Sequence, residues 1–119
     1  MTTIPLTATS PPLSLNKRLH HMAEYRVRKA LRDEVMTRAR QLKVPAVDAA
    51  VVTLHWRPAV RRGRDEDNVY PTIKPCIDGL VRAGVLPGDT TEVVTPRVVI
   101  HPPEPGQPGA LWLVVEEVR

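Results

Sequence analysis

The chain has no phenylalanine and only four aromatic residues, Tyr25, Trp56, Tyr70 and Trp112. Proteins that hold single-stranded nucleic acid without sequence preference need aromatic platforms on which bases stack, so this scarcity argues against a single-strand binder. There is one cysteine, Cys76. It excludes an internal disulfide and fits a reducing compartment. Set among apolar helical residues, it reads as a buried thiol. No apolar run approaches the roughly 18 residues of a membrane span, and residues 1–10 lack the basic segment and apolar core of a secretory signal. The expectation is a cytoplasmic protein with no membrane partner. No glycine-rich phosphate loop and no Ser or Cys nucleophile motif is present. His20, His21, His55 and His101 show no metal-ligand spacing and read as surface or packing residues.

What is present suits a folded domain. The 119 residues are 42% apolar and 25% charged, enough for one core and one domain spanning 1–119. The net charge of +4 hides an asymmetry. Residues 1–64 hold 13 Lys/Arg against 4 Asp/Glu, and residues 65–119 hold 4 against 9. A basic first half suits a polyanionic partner, whose counterions Lys and Arg displace. Two solvated faces would give the same count.

Hydrophobic periodicity outlines the elements. A short β-prone run covers 3–9. A helical pattern follows from about 19 to 43, with Met22, Tyr25, Leu31, Val35, Ala39 and Leu42 at 3–4 residue spacing and basic residues over much of the rest. Val44-Pro45 ends it. A β-branched run at 49–56 is a strand. Residues 71–83 read as a second helix stopped by Gly84, in which Pro75 predicts either a kink or a late start. Strands at 92–101 and 110–117 complete the chain, and Pro96 suggests an edge strand. Trp56 and Trp112, both in strands, read as core residues. The order β-α-β-α-β-β predicts an α+β fold, a mixed β-sheet with two main helices.

The stretch with chemical content is Arg61-Arg62-Gly63-Arg64-Asp65-Glu66-Asp67-Asn68. In an extended segment Asp65 and Asp67 point to the same side. Two hard carboxylates are what a magnesium ion takes from protein, leaving water and phosphate to complete its shell. The arginines upstream suit adjacent phosphates. An Asp-x-Asp pair alone more often belongs to an ordinary solvated loop.

Downstream run Lys74, then Asp78-Gly79-Leu80, then Ala83-Gly84, then a turn ending in Asp89. Over about residues 57–95 this series resembles the RusA family of Holliday junction resolvases, whose pattern is Asp-x-Asp-Asn, a helix with a lysine, Asp-x-Leu at the helix centre, Ala-Gly and a turn ending in aspartate. Ser14-Leu15-Asn16-Lys17-Arg18 resembles the early basic loop of that family. One departure is Gly88, where the family often carries a second acid.

The resemblance implies a Mg2+-dependent (or Mn2+-dependent) endodeoxyribonuclease that acts on branched DNA, the four-way junction, as a homodimer. It implies Asp65, Asp67 and Asp89 as metal ligands and Lys74 as the catalytic lysine, with Asn68 and Asp78 in support. Asp78 is four residues from Lys74, a spacing that suits a salt bridge positioning the lysine. Lys17, Arg18, Arg61, Arg62 and Arg64 are the expected DNA-backbone contacts, with the basic face of the first helix a weaker candidate. A branched-DNA-binding protein of the same fold with little cleavage activity is the alternative. An enzyme acting on a small phosphate ester is less consistent with the basic first half.

Overall fold

The computed structural model describes residues 1–13, 20–60 and 69–119. Its elements are β1 (Thr2–Pro5), α1 (His21–Gln41), β2 (Ala50–Arg57), α2 (Tyr70–Arg82), β3 (Val94–Ile100) and β4 (Ala110–Glu117). The α+β order is the one anticipated. The four strands form one mixed sheet in the order β1-β4-β2-β3. β4 runs antiparallel to both β1 and β2, while β2 and β3 are parallel and joined through α2. No helix among the described residues is long and apolar enough to cross a membrane.

Alternation along the strands turns one face of the sheet inward. Ala50, Val52 and Leu54 of β2 and Leu111, Leu113 and Val115 of β4 are buried, and the residues between them are partly exposed. Leu54 lies opposite both Leu113 and Val98, and Leu113 lies opposite Ile4, so one apolar row crosses all four strands. Both edge strands carry a proline, Pro5 on β1 and Pro96 on β3. Each withdraws one backbone donor from an exposed edge, which discourages further strand pairing.

α2 is buried on nearly every side, with Thr72, Ile73, Pro75, Cys76, Ile77, Gly79 and Leu80 all inaccessible. Ile73, Ile77 and Leu80 join the core cluster with the strand residues, while Gly79 meets α1. A Cβ at Gly79 would lie 2.5 Å from the Arg32 carbonyl oxygen and 2.9 Å from Val35 Cβ. The helix runs through Pro75 rather than starting there. A proline at this point removes one i→i−4 bond, and burial of its ring in the helix pair offsets part of that loss. The Thr72 hydroxyl donates to the Leu13 carbonyl at 2.5 Å and accepts from the Leu13 amide at 3.2 Å. It thereby ties the end of the first described segment to α2. Cys76 is fully buried, its Sγ donating to the Thr72 carbonyl at 3.4 Å, and burial pushes its thiol far above the ordinary value. The expected burial of this thiol is what the structure shows.

Three expectations need correction. Along α1 only Leu31, Val35 and Ala39 are buried, whereas Met22, Tyr25 and Leu42 are 46%, 55% and 50% exposed. α1 has 21 residues and α2 has 13, a difference of about 12 Å at 1.5 Å per residue. No residue from 21 to 30 is buried, so the first part of α1 adds nothing to the core. The first strand stops at Pro5 instead of reaching Thr9. There the chain leaves the sheet because Thr7 is captured by α1. Its amide and hydroxyl both donate to Glu34 Oε2 at 2.8 Å, and Arg38 donates to that oxygen and to Thr7 Oγ1. Finally, Trp56 packs against the core from its rim, but Trp112 is on the opposite face of the sheet, half-buried beside two histidines.

Those histidines form a cluster that spacing did not reveal. His55 Nδ1 and His101 Nε2 are 2.8 Å apart, and both rings stack on Trp112 with centroids 5.3 and 5.2 Å away. Burial first, and the neighbouring His101 charge second, lower the His55 pKa from its ordinary 6.5. The unfolded chain therefore takes up a proton at this position more readily than the folded one. Stability rises with pH wherever the unfolded state binds more protons. Thermal melts between pH 8 and pH 5 are expected to show a falling midpoint that begins near the unfolded value of about 6.5, and His55→Gln is expected to flatten that slope.

Candidate functional site

Lys74 and Asp78 lie one turn apart on the exposed face of α2. Lys74 Nζ is 3.1 Å from Asp78 Oδ1, the i,i+4 pair that the spacing suggested. The same ammonium donates to Asp89 Oδ2 in a short ion pair that spans 15 residues of chain. How Asp89 reaches it is legible in the turn after α2. Gly84 takes a positive φ of 81°, the left-handed conformation that ends helices and suits glycine. The chain then reverses, and the Gly84 and Val85 amides donate back to the Val81 and Leu80 carbonyls. Val85 and Leu86 are buried as a plug in the core, and Val85 is further held by the Val47 amide. This anchored return presents Asp89 to the outer face of α2.

The electrostatics of the group follow from these contacts. The hydrogen bond to Asp89 is the main cause that raises the Lys74 pKa above its ordinary value; burial opposes it, and the contact with Asp78 adds to the rise. Reciprocally, the Lys74 ammonium lowers the Asp89 pKa. At neutral pH the site holds an ammonium between carboxylates. It can stabilise negative charge or orient a polar ligand, and it cannot accept a proton. The side chains of Lys74, Asp78 and Asp89 are 53%, 41% and 48% exposed, so a large anion can reach them.

Of the residues singled out from sequence, Lys74, Asp78 and Asp89 are brought together. Asp65, Asp67, Asn68, Arg61, Arg62, Arg64, Lys17 and Arg18 lie outside the described residues. Among the described residues no group of three or more His, Cys, Asp or Glu side chains could hold a metal ion, and two of the three carboxylates expected as ligands are not among them. Gly88, the departure from the pattern, has open space where a side chain would stand and no positive φ. Its lack of a side chain is not imposed by the fold. Spacing gave little reason to rank Arg32 above its basic neighbours on α1. The structure puts it beside Asp78 and Asp89, along an open groove of about 270 Å³ that also involves Arg82. Only the crossing of the two helices selects it.

No family model matches the chain, and no characterised protein matches it at a significant level.

Proposed function

We propose that this protein is a magnesium-dependent endodeoxyribonuclease that cuts branched DNA, in the manner of the RusA-like resolvases that its sequence resembles. The observation that carries the reading is the meeting of Lys74 with Asp89 across the turn that follows α2. Two residues assigned by the motif to one site are in contact in the fold, although nothing in their separation required it.

Hard oxygen donors fit Mg2+ or Mn2+, and Asp89 supplies an ionised carboxylate with one oxygen, Oδ1, not engaged by Lys74. Asp65, Asp67 and Asp89 would hold the ion, which when bound supplies Lewis acidity and an activated water. Lys74 has a separate task. Its ammonium is placed to stabilise charge that builds on the phosphodiester oxygens during attack, where a preorganised donor is worth most. Asp78 keeps the lysine side chain directed along α2. Lys17, Arg18, Arg61, Arg62 and Arg64 would hold the flanking backbone, which positions the substrate without reading its sequence. Asn68 has a supporting place beside Asp67. Cutting a four-way junction on two strands calls for two matched sites, and a two-fold homodimer supplies them most simply.

The test is direct. Purified protein incubated with a labelled four-way junction and Mg2+ is expected to release paired, symmetric nicks, and Asp67→Asn is expected to abolish them. A junction that is retarded on a gel but never cut would replace the enzyme with a branched-DNA-binding protein. Failure to bind or cut would remove both readings.

A further inference from the structure

Two open grooves meet at Asp78. One, of about 160 Å³, runs between the first half of α1 and the middle of α2, and is bordered by Tyr25, Arg28, Lys29 and Arg32 on one side and by Lys74 and Asp78 on the other. The second continues past Arg32 and Asp78 to Arg82 and Asp89. The residues from α1 recur at i, i+3, i+4 and i+7, so they form one helical face. That face lies along α2, with Tyr25, Arg28 and Lys29 exposed and Arg32 half-buried.

We propose that this face of α1 is a rail for the sugar–phosphate backbone of a DNA strand, which Arg28, Lys29 and Arg32 lead to the Lys74–Asp89 site and Tyr25 flanks at the outer end. The inference rests on the nuclease reading for its substrate class but uses residues that the motif does not include. Charge complementarity selects the occupant. The two grooves together carry five cationic side chains against two carboxylates, Asp78 and Asp89, and both carboxylates are already engaged by Lys74. The remaining cations are easily redirected. Among the described residues, Arg28 is held by Glu24 on the helix surface at 2.7 Å and Arg32 by its neighbour Asp33 at 3.1 Å. The first pair is exposed and the second partly so; solvent-facing pairs contribute little, and a phosphate offers guanidinium a stronger bidentate partner. Tyr25 is the single aromatic residue on either groove among the described residues. At a branch point, where bases are less fully stacked, its exposed ring can lie against a base or sugar.

The experiment measures equilibrium binding of a fluorescent four-way junction by anisotropy in EDTA, so that no strand is cut, over a series of salt concentrations. Lys29→Ala and Arg32→Gln are each expected to weaken binding and to make the log K against log salt slope shallower by about one unit, the signature of a lost phosphate contact. Tyr25→Ala is expected to weaken the junction more than a linear duplex of equal length. Arg26→Ala, an equal loss of charge on an exposed residue of α1 outside both grooves, is the control and is expected to leave the slope nearly unchanged. Melting curves of each variant confirm folding. If wild-type protein binds the junction but Lys29→Ala and Arg32→Gln keep its affinity and slope, the rail is wrong and the nuclease reading stands. If wild type fails to bind any DNA, the nuclease reading itself has fallen.

Discussion

Replacing Lys74 with alanine is expected to slow junction cleavage by about 10²–10³-fold, the usual effect of removing one preorganised donor to a developing negative charge, while the protein stays folded. The two effects separate because of where the residue sits. Its side chain is 53% exposed and its partners are surface carboxylates, so its ion pairs contribute little to stability. A second consequence distinguishes its role from that of a metal ligand. Without the ammonium, Asp78 and Asp89 lose their shared partner and become freer for a cation. Binding of Mg2+ to Lys74→Ala, followed by calorimetry, is therefore expected to be as tight as in wild type or tighter, whereas Asp89→Asn is expected to weaken it. A Lys74→Ala protein that cuts at the wild-type rate would remove the lysine from the chemistry. One that fails to bind the ion would make its role that of organising the carboxylates.

The second large effect concerns the fold beneath the site. Gly79→Val is expected to destabilise the protein by about 3 kcal/mol, at or above the upper end for an overpacked core position. For a domain of this size that lowers the melting midpoint by roughly 10 °C. The cause is the Arg32 backbone oxygen 2.5 Å from the added Cβ, which cannot rotate away as a side chain could. α1 and α2 would have to part. Gly79→Ala has two opposing terms: it gains about 1 kcal/mol of helix propensity and meets the same carbonyl. The steric term is expected to win by a smaller margin, leaving a midpoint a few degrees below wild type. A Gly79→Val protein that melts with wild type would mean that the two helices do not press on each other there. Because Arg32 belongs to the same contact, the variant is also expected to disturb the groove beside Asp78.

Gly79 shows why some of the molecule could be read from its sequence and some could not. The β-branched content of the run that forms β2, the turn residues that bound β4, and Gly84 after an apolar helix are local signals, each complete within a few residues. They determined the element order and the mixed sheet. The i,i+4 relation of Lys74 to Asp78 is equally local, since one helix sets it. A glycine at the centre of a helix carries no such message. That it is the point where α1 approaches α2 depends on two elements separated by a strand.

Local periodicity likewise placed Met22, Tyr25 and Leu42 on the apolar side of α1, yet burial requires something opposite to pack against, and those positions stay exposed. Trp112 sits on the outer sheet face because β4 alternates about Leu111 and Leu113, and it meets His55 and His101 only through the pairing of β2 with β4 and the hydrogen bond from the His101 amide to the Trp56 carbonyl. The nearness of Lys74 and Asp89 belongs to the same class. Residue types and spacing singled out both as chemically able, but the buried Val85–Leu86 anchor, a tertiary feature, brings the carboxylate back to the helix. Sequence thus determined which groups this protein carries and which of them share an element. Contact between groups on different elements was decided by packing, because a distance across the core is set by all the side chains between them.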